Sequence, residues 1–195
     1  MSLAHPLSSR LARLRARLAG HRPVVDDDAS LLWAAVAVVL VPSPDAVLLI
    51  RRADRPGDPW SGHMALPGGR REQSDPDLIA TAVRETFEEV GLTLATDDLL
   101  GCLDDVVPRT PVLPPIAVRP YVFALPDRPI LHPNAEVAAC RWAELDHLLL
   151  PGTYQTVQFD IRGEVRDFPA YRLEEAVVWG MTERILTSLF EHLQP

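Results

Sequence analysis

Three glutamates, Glu85, Glu88 and Glu89, stand at i, i+3 and i+4 in the run GGRREQSDPDLIATAVRETFEEVGL, residues 68 to 92. If the run is helical, they share one face. Like charges at that spacing destabilise a bare helix, and a hard cation held among the carboxylate oxygens resolves the conflict. Mg²⁺ and Mn²⁺ are cations that prefer such ligands. Arg84 precedes the first acid, a Gly68-Gly69 turn opens the run, and Gly91 closes it. A carboxylate-bound divalent cation can neutralise charge on a bound anion and lower the pKa of a water. A solvated acidic face would account for the acids but not for the Pro67-Gly68-Gly69 ahead of them.

The element that must carry these acids reads as a helix on its own evidence. Ile79, Ala82, Val83, Thr86 and Val90 form a mostly apolar stripe at helical spacing. The three glutamates lie on a neighbouring arc. Glu89 is nearest the stripe, so it should be the least solvated. Pro76 suits the first helical position, which makes Asp75 the expected N-cap, and Gly91 suits the position just past the C-terminus. Capping alone accounts for Asp75.

Other elements follow from periodicity. Leu7, Leu11, Leu14 and Leu18 recur at helical spacing among Arg10, Arg13, Arg15 and Arg17, predicting an N-terminal amphipathic helix packed on the domain. Leu31 to Val41 and Ala46 to Arg51 read as two strands joined by Pro42-Ser43-Pro44-Asp45, a hairpin-like signal. Residues 53 to 67 form a loop containing Pro56-Gly57 and Pro59-Trp60-Ser61-Gly62. Strands are expected near Leu99 to Val106, Ile116 to Ala124 and Glu136 to Trp142, with a short helix from Ala143 to Leu149. Residues 154 to 178 hold further strand-like segments, including Tyr154 to Ile161. Trp179 to Leu193 predicts a last helix, with Met181, Ile185, Leu189 and Leu193 on one side. Mixed strands, few helices and short connections indicate an α+β domain with a mixed sheet.

Composition narrows the function classes. A chain of 195 residues with 47% hydrophobic content makes one sizeable packed domain. The division is 1–29 as N-terminal helix and linker, and 30–195 as the main domain. No apolar run reaches the roughly 18 residues of a membrane span. There is no signal-peptide pattern, and Cys102 and Cys140 read as reduced thiols of a cytoplasmic protein. A net charge of −8 argues against nucleic acid as a partner, but not against a small phosphate-rich substrate met by a local cluster and a metal. Pro, at 19 residues, falls mostly between periodic segments and suggests ordered loops. The N-terminal helix and the 154–178 segment are the surfaces that could build a homodimer.

The run from Gly69 to Leu92 resembles the Nudix box, whose pattern is Gly, five residues, Glu, seven residues, then Arg-Glu-apolar-any-Glu-Glu-any-Gly-apolar. Arg84-Glu85, Glu88-Glu89 and Gly91-Leu92 match in order and spacing. Asp75 stands for the first Glu, eight residues instead of seven separate it from Arg84, and Thr86 replaces an aliphatic residue. Leu48-Leu49-Ile50-Arg51-Arg52-Ala53, followed by Gly62 and Leu66-Pro67-Gly68-Gly69, resembles the extended signature of coenzyme A pyrophosphatases. Ile50 replaces its Thr, and Arg55 is out of place for its central Arg. The inserted residue before Arg84 is typical of that subgroup. Leu103-Asp104-Asp105, Pro108-Arg109-Thr110 and Val177 to Thr182 resemble later segments of it.

The resemblance implies an α/β/α sandwich with the box helix against the sheet. It implies Mg²⁺ or Mn²⁺ on Glu85, Glu88 and Glu89, with the Gly68 carbonyl completing the shell. Arg84 would brace the loop or pair with an acid of the catalytic group. Arg51, Arg52, Arg70 and Arg71 are candidates for substrate phosphates. The general base is open among Glu88, Glu89 and Glu136. The activity implied is hydrolysis of the pyrophosphate of coenzyme A or its thioesters, giving 3′,5′-ADP and 4′-phosphopantetheine or its derivative. The alternatives are a Nudix hydrolase of another nucleoside diphosphate derivative (ADP-ribose, a dinucleotide, a nucleoside triphosphate) and a non-catalytic binding module. Non-catalytic modules commonly lose box carboxylates, and all three are present here.

Overall fold

The computed structural model describes residues 7–26, 28, 30–55, 61–108, 115–161 and 163–194. The turns at Pro56-Gly57 and Pro59-Trp60 and the Arg109-Thr110 pair lie outside the described residues. Two apolar strands, β1 (Leu32–Val41) and β2 (Ala46–Arg52), sit at the centre of the main sheet. They pair only at their closed end, where Leu40 faces Val47 and Val41 faces Ala46. Beyond that point they splay, and a later segment fills the gap. Its first part, β3 (Met64–Ala65), pairs with β2 through Ile50↔Ala65 and Arg51↔Met64. Its second part, β4 (Gly68–Arg70), pairs with β1 through Ala34↔Arg70, Ala35↔Gly69 and Val36↔Gly68. Between them the Pro67 carbonyl accepts the Ala37 N–H at 2.8 Å. The Gly-Gly turn of the sequence is therefore wedged inside the sheet.

The α-helix α2 (Leu78–Val90) follows. Next, β5 (Leu99–Cys102) lies antiparallel to β6 (Ile116–Ala124), and β6 runs parallel to β1. β7 (Val137–Glu144) closes the other side against β2, completing a seven-stranded mixed sheet. Alternation along β1 divides the core. Ala35, Ala37, Val39 and Val41 join Leu78, Ala82 and Val90 of α2 on one face. Ala34, Val38 and Leu40 face the other way, toward α1 (Ser9–Gly20), α3 (Leu145–Leu148) and α4 (Gly180–Glu191). Both faces of the sheet are covered, so β1 and β2 read as continuous apolar runs instead of alternating ones. The result is an α/β/α sandwich of α+β class.

α1 contributes Leu11, Leu14 and Leu18 to the second core, all buried. Burial of each such side chain stabilises the fold by roughly 1.5–3 kcal/mol. Gly101, at φ 151, lets the helix approach β5 closely: a Cβ there would lie 3.1 Å from Leu18 Cβ. Beyond β7 a three-stranded antiparallel sheet forms in the order β10-β9-β8, from β8 (Tyr154–Ile161), β9 (Glu164–Leu173) and β10 (Ala176–Trp179). Among the described residues no helix is long and apolar enough to cross a membrane.

Several local expectations are corrected. α2 starts at Leu78, and its N-cap is Asp77, whose carboxylate accepts the Ala80 N–H at 2.8 Å. Asp75 is not the cap, because Arg84 takes its carboxylate instead. The strand expected to run to Val106 stops at Cys102, and Val106 makes only an isolated bridge to Val118. Asp105 is turned aside there by a two-nitrogen pair with Arg119. Ala143 and Glu144 complete β7, which shortens the following helix to Leu145–Leu148, and Trp179 completes β10 ahead of α4.

Candidate functional site

α2 places its acids against the Gly-Gly wedge. Its inward face, Leu78, Ala82, Thr86 and Val90, is buried, and the Thr86 hydroxyl is satisfied by donating to the Ala82 carbonyl at 2.7 Å. Gly91, at φ 68, ends the helix in the left-handed conformation and returns its N–H to the Phe87 carbonyl. Glu89 borders the buried face and is only 4% exposed. Its Oε2 accepts the Gly68 N–H at 2.9 Å. Gly68 has φ 151, and a Cβ on it would lie 2.6 Å from Val36 Cα. A Cβ on Gly69 would run into the Glu85 carboxylate. Both glycines thus allow the acids and the β4 backbone to meet.

Arg84 organises the opposite side. Its Nε and Nη2 bind the two Asp75 oxygens at 3.0 and 2.9 Å. Nη1 donates to Glu85 Oε1 at 3.0 Å and Glu88 Oε2 at 3.1 Å, and Nη2 also reaches the Arg70 carbonyl at 3.1 Å. Buried Asp75 accepts two more bonds, from the Glu72 N–H at 2.9 Å and the Thr81 hydroxyl at 3.0 Å. The Arg84 guanidinium holds the Asp75 carboxyl well below the usual carboxylate range. One residue therefore ties the loop, the helix and two of the three glutamates together.

Burial acts the other way on the remaining acids. It raises Glu89 to about 7, against the pull of the Gly68 N–H and Arg52, while Glu85 and Glu136 add repulsion. Glu85 is also raised by burial, with Arg84 opposing. Glu88 is exposed. Carboxylate oxygens removed from water without enough counter-charge suit a hard divalent cation, so this donor set fits one. Among the described residues no three His, Cys, Asp or Glu side chains already converge as a ligand cluster. Arg84 draws Glu85 and Glu88 to itself while Glu89 turns to Gly68.

The raised Glu89 has a measurable consequence in metal-free protein. Its unfolded-state value is the ordinary 4.5 and its folded value is about 7. Folding is favoured most where the group is protonated in both states, below 4.5, and the advantage is lost as pH rises through 7. The loss is on the order of 3 kcal/mol. Denaturant titrations in chelator should show stability falling across that window, and Glu89→Gln should flatten the fall. An unchanged slope in the variant would contradict the burial of a carboxylate here.

The four candidate arginines do not gather at one point. Arg52 lies within electrostatic reach of Glu89. Strand alternation sends Arg51 to the opposite face, beside Met64 and Trp179. Arg71 ties down the loop before α2, its Nη2 donating to the Asp75 and Pro76 carbonyls at 3.2 and 3.0 Å. Arg70 is exposed on β4. Glu136 does reach the site: it adds to the repulsion on Glu89 and pairs with Arg55 at 2.9 Å. The Arg55–Glu136 pair left no trace in local sequence, since its partners are distant in the chain.

Comparison with known proteins agrees with this geometry. Residues 31–161 match the NUDIX domain family model. A protein named Uncharacterized Nudix hydrolase NudL, from Photorhabdus laumondii, is 31% identical over 162 residues, covering 83% of this chain and 84% of that protein. A Schizosaccharomyces pombe protein named Uncharacterized protein C14C4.10c is 42% identical over 119 residues, 58% of this chain but only 36% of its own length. Among solved structures, a MutT/nudix family protein from Enterococcus faecalis superposes with a TM-score of 0.63 at 18% identity, over 94% of this chain and 69% of that one. That last similarity bears on the fold alone.

Proposed function

Because the chain belongs to the Nudix family and is a Nudix hydrolase, we propose that it splits the pyrophosphate bond of coenzyme A or its thioesters, releasing 3′,5′-ADP and 4′-phosphopantetheine or its derivative. The observation that carries the hydrolytic part is the buried Glu89 beneath the Gly68 N–H, with Glu85 beside it against Gly69. The coenzyme A part is supported by the segments 48–53 and 62–69, which pair with each other in the sheet through Ile50↔Ala65 and Arg51↔Met64. Two stretches that are separate in sequence thus form one wall beside the acids.

Members of this family generally use divalent metal ions. Glu85, Glu88 and Glu89 would hold Mg²⁺ or Mn²⁺ here, with the Gly68 carbonyl as a backbone ligand. When bound, the cation supplies charge neutralisation on phosphoryl oxygens and a water of lowered pKa. The chain's own residues do the rest. Arg84 keeps Glu85 and Glu88 on one side of the helix through a single nitrogen, anchored by Asp75. The Gly68 N–H fixes the Glu89 carboxylate. Arg52, within electrostatic reach of Glu89, would bind a phosphate at the reacting end of the substrate, and Arg70 one at the open side. Arg71 serves by holding the loop between β4 and α2.

Coenzyme A carries a ribose 3′-phosphate that dephospho-coenzyme A lacks, and guanidinium–phosphate hydrogen bonds are among the stronger polar contacts. The kcat/KM for coenzyme A should exceed that for dephospho-coenzyme A at least tenfold, roughly 1.4 kcal/mol of transition-state binding. Equal values for the two would refute recognition of the 3′-phosphate.

A further inference from the structure

On the face of the sheet away from α2 lies a groove of about 490 Å³. It is walled by Arg51 from β2, by His63 and Met64 at β3, and by Arg172, Phe159 and Trp179 from the second sheet. Its two arginines come from different sheets and are both exposed. Among the described residues neither guanidinium has an ion pair or hydrogen bond. Arg10, Arg55, Arg84, Arg119 and Arg166 all have carboxylate partners, by contrast. The wall behind them is aromatic: Phe159 stacks on Trp179 at 4.2 Å between centroids, and the His63 ring lies 4.8 Å from Trp179.

Two unpaired guanidiniums beside an aromatic wall fit a planar ring that carries a phosphate. They do not fit a neutral, flexible chain such as pantetheine. Arg51 also adjoins Arg52, which lies near the acids on the opposite face. Successive residues of β2 thus present one guanidinium toward the acids and the next toward the groove. We propose that this groove is the subsite for the nucleotide end of the substrate, with Arg51 and Arg172 binding its ribose phosphate and the aromatic wall receiving its base. The proposal rests on the coenzyme A reading, since it assigns the groove to that substrate's phosphorylated adenosine. Glu174 and Glu175 also line the groove and oppose anions in general. The phosphate is held only where it sits on the two guanidiniums, which favours one phosphate at a fixed place over a polyphosphate chain.

The test is calorimetric titration of the protein in chelator with 3′,5′-ADP and with 5′-AMP, so that binding is read without turnover. The subsite predicts that 3′,5′-ADP binds about tenfold more tightly than 5′-AMP. Arg51→Ala and Arg172→Ala should each remove most of that difference while leaving 5′-AMP affinity and melting temperature unchanged. Wild-type affinity for 3′,5′-ADP in both variants overturns the proposal, as does equal affinity for the two nucleotides. The two readings fail separately. If coenzyme A is hydrolysed but Arg172→Ala leaves its KM unaltered, the groove assignment falls and the activity stands. If coenzyme A is inert but the nucleotide difference and its loss in the variants are found, the groove stands and the substrate falls.

Discussion

Glu89→Gln and Glu85→Gln should each lower turnover by on the order of 10²-fold or more, with the fold intact. Both residues border the Gly-Gly wedge, and burial raises the pKa of both carboxyls, that of Glu89 to about 7. The amide keeps the size and the hydrogen-bonding reach of the acid but removes the charge that a divalent cation needs. In Glu89→Gln the amide oxygen can still accept the Gly68 N–H, so the local backbone has no reason to move. Glu89→Gln removes a buried charge, so metal-free protein should gain stability at neutral pH, and melting temperatures near wild type in both variants would separate the loss of activity from unfolding. Chelator should abolish wild-type activity, and Mg²⁺ or Mn²⁺ should restore it. Near-normal turnover in both variants would remove these glutamates from the metal site.

Gly68→Val should abolish activity and also lower the melting temperature by several degrees. The position has φ 151, a conformation that side chains rarely adopt, and a Cβ would strike the backbone of Ala35 and Val36 in β1. Collision with backbone in the middle of a sheet cannot be relieved by turning a neighbouring rotamer. β4 must shift, and with it the N–H that holds Glu89. Gly69→Ala is the informative partner, because its Cβ meets only the Glu85 carboxylate, the end of a flexible side chain. That variant should keep more of its stability than Gly68→Val while still losing activity. A fully active, fully stable Gly68→Val protein would show the wedge to be incidental.

The parts of this site that were legible in the sequence are those set by local spacing. The interval between Glu85, Glu88 and Glu89 puts them on one helical arc, and nearness to the Ala82–Thr86–Val90 stripe predicts that Glu89 is the least solvated, as its 4% exposure shows. β6 falls at Ile116–Ala124, where the apolar run puts it. The parts that were not legible depend on pairing across the chain. β3 and β4 are two and three residues long, too short for any period to register, and they exist because β1 and β2 splay. Asp75 and Asp77 are equally good caps by type, and only the reach of Arg84 to Asp75 decides between them. Arg51 and Arg52 read as one basic pair, yet strand alternation separates them by the thickness of the sheet. Arg172 and Trp179 carried no signal as partners of Arg51, because the second sheet that brings them there is built from three strands with little shared pattern.

Incubating the purified protein with Mg²⁺ and, separately, coenzyme A, ADP-ribose, NADH and nucleoside triphosphates, then weighing the products by mass spectrometry, identifies the substrate and the bond that is cut. The proposed activity predicts that coenzyme A is consumed in preference to the others and yields 3′,5′-ADP and 4′-phosphopantetheine in equal amounts. Coenzyme A left intact while ADP-ribose or a nucleoside triphosphate is hydrolysed would contradict it.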